Sequence, residues 1–551
     1  MNKQKKTSSW KSVLQELSNE GNTVRAVEPS SSGKIARSAL SMSAATSFSR
    51  LVGFVRDMLV ARVLGASDLS DSFFVAFRIP NLMRELFAEG SMSSGLIPVL
   101  TEIRTKEGDA EAALVVRKAF TFVVIFIGIF CVCGIVFAPQ IVAAIAPGFL
   151  QNIVKFKTTV ILTRIMFPFL LCVSLAALVM GALNTKRVFF IPALASAWFN
   201  IAIIAAIVGF IALKISPVTA VALGVTIGGV VQFLWQLPTF FKHNYSLKPS
   251  IGFNHKGLKR MGKLILPATV GTAVAQINIF VSTILASFLP VGSITYLYYS
   301  MRLIQFPVGV FGVAVGMAAL PALSEHAAKK DYEALAEDFA FSLKLLFSVT
   351  VPSMLGLIAL SRPIVAALFE HGKFGPEAVK GTSTALICYS LGIWAMVGVR
   401  VLTSSFYSMQ DTKTPVKSAV FSLTLNVLLS IILMGPFSYA GLALANAGAS
   451  AFNFSMLFFL LKRRLSHIDF KGIAVSFVKT LAASVIMGLF GYFLMAFFER
   501  FKVESHLLKG GFLFAAIAVC TAVYFGAALM LKSDEVRYFL KTLKRRWSKK
   551  R

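Results

Sequence analysis

Nine charged side chains lie inside the first two long apolar segments of the chain, where lipid hydrocarbon would solvate ions poorly. They are Arg50, Arg56, Asp57, Arg62, Asp71, Arg78, Arg84, Glu85 and Glu89. One such charge near the centre of a membrane helix costs at least about 2.5–3.5 kcal/mol, so it is kept where it faces a bundle interior or a wet cavity. Five arginines against four carboxylates predict a cationic cavity that binds an anion.

The spacing of these charges indicates which of them share a helix face. Arg50 and Asp57 are seven residues apart, about two turns, so both project from one face of the first helix. Arg56 lies about 100° around the same helix and flanks the same cavity. Asp71 and Arg78 repeat the seven-residue spacing on the second helix. Guanidinium groups suit anion binding because they stay charged and donate in a planar fork that fits phosphate oxygens.

The second helix also carries residues that interrupt helices. Pro80 predicts a break directly after Arg78, and Gly90 and Gly95 predict further interruptions. Broken helices beside buried charge are typical of binding sites and hinges in transporters.

The sequence assigns these charges two kinds of role. The four arginines interpreted as substrate-binding are Arg50, Arg56, Arg84 and Arg302. The residues interpreted as supporting or orienting are Asp57, Asp71, Arg78 and Glu89, with the two aspartates expected to orient arginines. Arg164 is a further buried candidate, whereas Arg62 and Glu85, near helix ends, are interpreted as structural ion pairs.

The elements that must position these side chains are membrane helices. Of the 551 residues, 56% are hydrophobic and the mean hydropathy is +0.74, more apolar surface than a soluble domain of this size can bury. About fourteen apolar stretches, each long enough to cross about 30 Å of hydrocarbon, recur from Ser38 to Leu531. The sequence therefore predicts an all-α polytopic membrane protein with about 14 transmembrane helices.

The net charge of +30 is distributed over alternate loops. Lys and Arg gather before Ser38, at 104–118, 186–187 and 242–263, and again in the tail from Lys532. The turns at 64–70, 290–293 and 436–439 carry none. The positive-inside rule therefore predicts that both termini are cytoplasmic. Membrane-surface anchoring explains the basic tail better than nucleic acid binding, and no nucleic acid partner is expected.

The chain carries no recognisable motif for covalent chemistry. Its five cysteines fall within apolar stretches at spacings that match no zinc or redox site, and its six histidines form no ligand pair. No Walker A motif and no nucleophile–base arrangement is present. We therefore expect a protein that is not an enzyme and has no cofactor or metal.

An internal repeat organises the helices. Ile141-Val-Ala-Ala recurs at Ile364, and Pro98-x-Leu-x-Glu recurs at Pro321, so the two fragments share one offset (364 − 141 equals 321 − 98). Such a common offset indicates duplication. Two parallel six-helix repeats are a transporter architecture in which the substrate lies between two lobes.

The repeat predicts five regions along the chain. They are a flexible cytoplasmic arm at 1–36, an N-lobe of helices 1–6 at 37–245, a C-lobe of helices 7–12 at 256–465, two extra C-terminal helices at 466–531, and a basic cytoplasmic tail at 532–551.

Four segments resemble a known family. Ser49-Arg-Leu-Val-Gly-Phe-Val-Arg-Asp57, Phe77-Arg-Ile-Pro-Asn-Leu-Met-Arg-Glu-Leu-Phe-Ala-Glu-Gly90 and Tyr298-Tyr-Ser-Met-Arg-Leu-Ile-Gln-Phe-Pro307 resemble signatures of the MurJ (MviN) family of lipid II flippases, and Gln410-Asp-Thr-Lys-Thr-Pro415 resembles a loop of that family. The resemblance spans about Ser38 to Phe498. Met301 and Gln305 depart from it, because many relatives carry acids at these positions.

The resemblance implies a role in peptidoglycan biosynthesis. A member of this family, within the MATE-like exporter superfamily, would move lipid II, the undecaprenyl-pyrophosphate-linked precursor, from the cytoplasmic to the outer leaflet of the bacterial inner membrane. The cavity arginines named above would hold the pyrophosphate, and the two extra helices would form a groove for the polyprenyl tail. Cell-wall synthesis proteins are candidate partners.

Two alternatives compete with this interpretation. An ion-coupled exporter of drugs or of other polysaccharide lipids would use the same fold, but cationic drugs require acids where this cavity has arginines. A membrane scaffold that recruits partners would leave the charges within the membrane unexplained.

Overall fold

All the regular structure that could be described is helical. The structure is a computed structural model and describes residues 31–85, 92–252, 254–309, 313–465, 467–500, 505–538 and 541. The first half comprises α1 (Ser31–Leu64), α2 (Asp68–Arg84), α3 (Met92–Glu107), α4 (Asp109–Val136), α5 (Ala138–Ile145), a 3-10 turn (Pro147–Gln151), α6 (Ile153–Met166), α7 (Pro168–Thr185), α8 (Phe190–Ala212) and α9 (Pro217–Lys242).

The second half repeats this order and adds two helices. It comprises α10 (Lys256–Ala286), α11 (Ser293–Pro307), α12 (Val313–Ala328), α13 (Tyr332–Ala359), α14 (Ser361–Phe369), α15 (Pro376–Ser390), α16 (Ile393–Ser408), α17 (Lys413–Arg464), α18 (Phe470–Glu499) and α19 (His506–Met530). Within the described ranges, nine helical stretches are long and apolar enough to cross a membrane. The protein is thus a multi-pass membrane protein, and the count of fourteen spans stays a prediction.

The internal repeat is also visible in the helix boundaries. Helix α13 follows α4 at the offset of the sequence fragments, at both its start and its end (332 − 109 and 359 − 136 both equal 364 − 141). The short α14 follows the short α5 at this same offset (361 − 138), and α17 follows α8 likewise (413 − 190). The offset read from short sequence fragments therefore recurs in the positions of whole helices.

The predicted break at Pro80 is wrong. Helix α2 continues through Pro80 and ends at Arg84. Membrane helices tolerate proline because neighbouring groups can compensate for the lost hydrogen bond. The next described helix begins at Met92. Gly90 and the site candidate Glu89 lie outside the described residues.

The two halves meet along several pairs of elements. Helix α2 packs against α11, α3 packs against α10, α1 contacts α14, and α10 also contacts α4 and α5. The C-terminal helices α18 and α19 pack against α13 and α14 of the second half. Large apolar side chains on these two helices remain exposed, for example Leu489 at 55% and Phe493 at 65%. In a membrane these side chains face lipid.

Candidate functional site: a charged unit between the two halves

The carboxylate of Asp57 joins the two halves of the molecule. Its Oδ1 accepts hydrogen bonds from Nη2 of Arg56 at 2.6 Å and from Nε at 3.1 Å. Its Oδ2 accepts from Nε of Arg302 at 2.8 Å. The Asp57 side chain is 4% exposed and the Arg302 side chain 35%. Two guanidinium groups thus share one buried carboxylate, which leaves one positive charge in the unit.

Aromatic packing holds the elements of this unit in register. Arg56 and Asp57 lie on α1, and Arg302 lies on α11. On α11, Tyr298 stacks against Phe74 of α2 with ring centroids 4.0 Å apart. The buried Tyr299 donates its hydroxyl to the carbonyl oxygen of Asp57 at 3.4 Å. These contacts explain why Tyr298 and Tyr299 precede the arginine by four and three positions.

Arg302 is the partly exposed member of this unit. A cavity of about 10 Å³ lies beside Arg56 and Asp57 and is lined by Phe73, Phe74 and Tyr298 among others. That volume is at the lower limit for one water molecule. A pyrophosphate is too large to enter this cavity.

The other predicted arginines lie outside this unit. Arg50 is exposed, and its guanidinium lies near Gly309, whose Cβ would be 3.5 Å from Nη1 of Arg50. Arg84 donates from Nε to Oδ1 of Asn81 at 3.1 Å and lies 3.9 Å from Glu85. Glu85 in turn accepts from Nε2 of Gln276 on α10, at 2.5 Å. The end of α2 therefore forms a second polar contact between the halves.

Arg78 occupies a half-buried position on α2. Arg78 lies within electrostatic range of the hydroxyls of Tyr298 and Tyr389 and of the carboxylate of Glu85. Tyr298 also lies beside the Arg56–Asp57 unit. Arg78 and that unit therefore flank the same tyrosine.

Asp71 does not orient an arginine, so the predicted arginine partner is wrong. Its Oδ1 accepts from the backbone N–H and the hydroxyl of Thr295, at 3.1 Å and 2.8 Å. Its Oδ2 accepts from the backbone N–H of Gly292 at 2.8 Å and from Nζ of Lys155 at 3.2 Å. The carboxylate caps the start of α11, where unpaired N–H groups and the helix dipole favour a negative charge.

Lys155 completes the Asp71 contact and was missed by sequence reasoning. It is 8% exposed, lies 2.8 Å from Asp68 and stands 4.3 Å above the ring of Phe149. Its only sequence signal is a cation in the first turn of an apolar helix. We call the end of the molecule that carries Asp71, Lys155 and Thr295 the outer end, because the predicted topology faces it outside.

Two further contacts join the halves at the outer end through the backbone. The N–H of Lys373 donates to the carbonyl oxygen of Arg62 at 2.9 Å. The N–H of Gly148 donates to Oγ of Ser287 at 3.1 Å. The outer end is thus closed by contacts from three separate segments of each half.

The opposite end is joined by α3 and α10. A Cβ on Gly95 would overlap the side chain of Ile265, so only glycine permits this approach. Beyond it, Nη2 of Arg260 lies 2.6 Å from Oε2 of Glu102. The hydrogen bonds from Arg260 and from Lys106 hold the pKa of the exposed Glu102 at about 2. This ion pair therefore persists at every physiological pH.

Arg164 is not a buried candidate. Its side chain is exposed, and Nε donates to the carbonyl oxygen of Ile135 at 3.1 Å. A long charged side chain at this position reaches past the apolar surface of its helix. A prediction of burial from hydropathy alone does not take this reach into account.

Comparison with known proteins identifies the family. The family described as Lipid II flippase MurJ matches residues 60–511. The Lipid II flippase MurJ of Burkholderia cenocepacia is 34% identical over 519 residues, which cover 92% of this chain and 99% of that protein. The chain belongs to the MurJ family. The resemblance inferred from the four motifs is thereby confirmed.

Solved structures agree with this assignment. A Lipid II flippase MurJ in an inward closed conformation has a TM-score of 0.73 and 27% identity, and the match covers 91% of this chain and 99% of that chain. An inward-facing MATE multidrug transporter has a TM-score of 0.63 at 13% identity, covering 76% of this chain and 95% of that chain. The second likeness shows the fold, so the all-α, MATE-like architecture predicted for this MurJ family member is confirmed.

Proposed function

We propose that this protein flips lipid II from the cytoplasmic to the outer leaflet of the bacterial inner membrane by alternating access. The observation that carries the proposal is the charged unit of Arg56, Asp57 and Arg302, which spans both halves and keeps one positive charge. A pyrophosphate placed against the exposed side of Arg302 would be held by charge-assisted hydrogen bonds. The names of the relatives support the choice of substrate.

The remaining predicted arginines extend this site. Arg50 is exposed beside Gly309, and Arg84 stands at the end of α2. In our proposal they contact the pyrophosphate or the sugars, whereas Arg78 supports the site through Tyr298. Asp57 orients Arg56 and Arg302, and Asp71 keeps the outer end closed.

Alternating access would exchange the two sets of contacts between the halves. The contacts of Asp71, Lys373 and Gly148 must separate for release to the outside. The α3–α10 contact must separate for loading from the cytoplasm. The MurJ structure described above, which resembles this chain in fold, is in an inward closed conformation. The present contacts at both ends are those expected of a closed intermediate.

The polyprenyl tail would remain outside the charged site. Helices α18 and α19 pack on α13 and α14 and leave large apolar side chains exposed. We propose that this surface holds the tail while the headgroup crosses between the halves. No covalent step is involved, so the protein is not an enzyme, and both termini lie in the cytoplasm. Cell-wall synthesis proteins are the proposed partners.

Complementation tests the function directly. In a strain depleted of its own flippase, the wild-type chain should restore growth and cell shape, and Arg302→Ala should not, at equal membrane levels. Purified protein should bind undecaprenyl pyrophosphate in native mass spectrometry, with much less binding by Arg302→Ala. Drug efflux without rescue would favour a multidrug exporter, and neither activity would favour a scaffold.

A further inference from the structure

A buried amide lies behind the charged unit. Asn200, on α8, is 7% exposed and its Oδ1 accepts a hydrogen bond from Nη1 of Arg56 at 2.9 Å. Its Nδ2 donates to the carbonyl oxygens of Ser196, at 2.9 Å, and of Ser49, at 3.4 Å. The amide thus ties α8 to α1 beside the arginine.

The hydrogen bonds of Asn200 fix which way the amide faces. A carbonyl oxygen can only accept, so the NH2 group must point to Ser196 and Ser49. The amide oxygen then has one direction left, towards Arg56. With Nε and Nη2 on Asp57 and Nη1 on Asn200, all three nitrogens of the Arg56 guanidinium are engaged.

A glycine makes room for this arrangement. A Cβ on Gly53 would lie 3.2 Å from Nδ2 of Asn200 and 3.6 Å from Nη2 of Arg302. Asn200 and Arg302 therefore approach the same backbone position from two different halves of the protein. A side chain at position 53 would press on the amide and reach the second guanidinium.

We propose that Asn200 is a positioning residue for anion binding. It fixes the Arg56 guanidinium, which in turn holds the Asp57 carboxylate at the angle that leaves the exposed face of Arg302 free for the pyrophosphate. Asn200 itself does not contact the substrate. The inference rests on the proposed function and adds a residue that carries no charge.

Three substitutions of Asn200 and Arg56 separate positioning from packing. Asn200→Leu has nearly the shape of asparagine and removes the acceptor, and Asn200→Gln keeps an amide. Binding of undecaprenyl pyrophosphate to full-length protein in detergent should fall about 5- to 20-fold with leucine, because Nη1 of Arg56 loses its partner. Glutamine should retain binding within about three-fold. In an Arg56→Met background, Asn200→Leu should cost less than about two-fold, because nothing remains to position.

Matched controls guard against a general loss of folding. Asn453→Leu removes a membrane amide that accepts from Ser418, and it should bind within about two-fold of wild type. Gly53→Ala should weaken binding, whereas Gly128→Ala, which adds a Cβ in open space, should not. Thermal melting of each variant checks that the fold is retained.

The outcomes distinguish this inference from the proposed function. If wild type does not bind the lipid, or if Arg302→Ala binds it equally well, the proposed function fails. If Arg302→Ala loses binding while Asn200→Leu binds like wild type, only the role of Asn200 is overturned. An undiminished leucine effect in the Arg56→Met background would overturn it as well.

Discussion

Oδ2 of Asp57 lies 2.8 Å from Nε of Arg302, across 245 residues of sequence and across the boundary between the two halves. In the proposed mechanism, an anion that binds Arg302 competes with this carboxylate for the same guanidinium and weakens a contact between the halves. Such competition would link substrate binding to movement without any separate sensor.

Asp57→Asn should abolish transport, although asparagine has nearly the same shape as aspartate. The amide cannot balance two guanidinium groups, and breaking a fully buried pair costs about 3–5 kcal/mol, less here because Arg302 is partly exposed. We expect at least a ten-fold loss of transport in complementation or vesicle assays. Asp109→Asn, which removes an exposed acid paired with Lys186, should transport normally. Rescue by Asp57→Asn at wild-type levels would contradict this role.

Lys155→Met should loosen the outer end. The substitution leaves the buried Asp71 carboxylate without its cation, so closure loses stability. A single cysteine at Gln305, beside Arg302, should then react at least about five-fold faster with a membrane-impermeant thiol reagent added outside. Lys157→Met, on the same helix but exposed, is the control and should leave labelling unchanged. Equal rates for both variants would remove Lys155 from the closure.

The Glu102–Arg260 pair should not make transport sensitive to moderate acid. Since the pKa of Glu102 is lowered to about 2, the pair is fully formed above the usual range of a free glutamate and is lost only as the pH falls towards 2. Between about pH 5.5 and 8 the pair should contribute no pH dependence. Arg260→Glu should change transport by less than about three-fold, as expected for an exposed pair, and adding Glu102→Arg should reverse the change.

Topology can be tested at a position that the structure makes accessible. Ser293 is only 1% exposed, whereas Val291 in the same turn is 51% exposed. Val291→Cys should be labelled in intact cells, because that turn is predicted to face outside. Lys329→Cys should be labelled only after permeabilisation. The reverse pattern would invert the predicted orientation.

The tail surface predicts a dependence on lipid length. Leu489→Gln or Phe493→Gln places an amide on the exposed face of α18, where each methylene of a bound chain contributes about 0.8 kcal/mol. Binding of long-chain polyprenyl pyrophosphate should fall several-fold, with short-chain analogues little affected. Phe126→Gln, on the exposed face of α4 in the first half, is the control. Equal losses for both chain lengths would exclude the groove.

Much of the fold was predictable because it follows from local rules. Apolar runs must form helices in lipid, and a duplicated gene keeps its helix boundaries at a constant offset. Two extra C-terminal helices were predicted at 466–531, the region in which α18 and α19 lie. The exceptions were Pro80 and Gly95, which lie inside α2 and α3 and which helices inside a bundle tolerate.

The candidate site was only partly predictable because its contacts join distant residues. Seven-residue spacing suggested that Arg50 and Asp57 act together, yet the carboxylate pairs with Arg56 and with Arg302. Nothing in the sequence near Asp71 indicates that it caps a helix 224 residues later. The available signals were single polar residues in apolar helices, Lys155 and Asn200. Counting the charged residues of the first two segments did not single them out.

The joints at the outer end are built partly from backbone. Gly65 and Gly372 adopt left-handed conformations, and a Cβ on either would come within 2.5 Å of the main chain of Lys373 or of Arg62. Truncating side chains one at a time would therefore leave these backbone contacts intact, and such a set of variants would not reveal them. Alanine at either glycine would add a methyl group that clashes with the facing main chain and separates these backbone contacts. In the predicted topology these contacts face the outside of the cell, so a small compound bound between them would act on the protein without entering the cell.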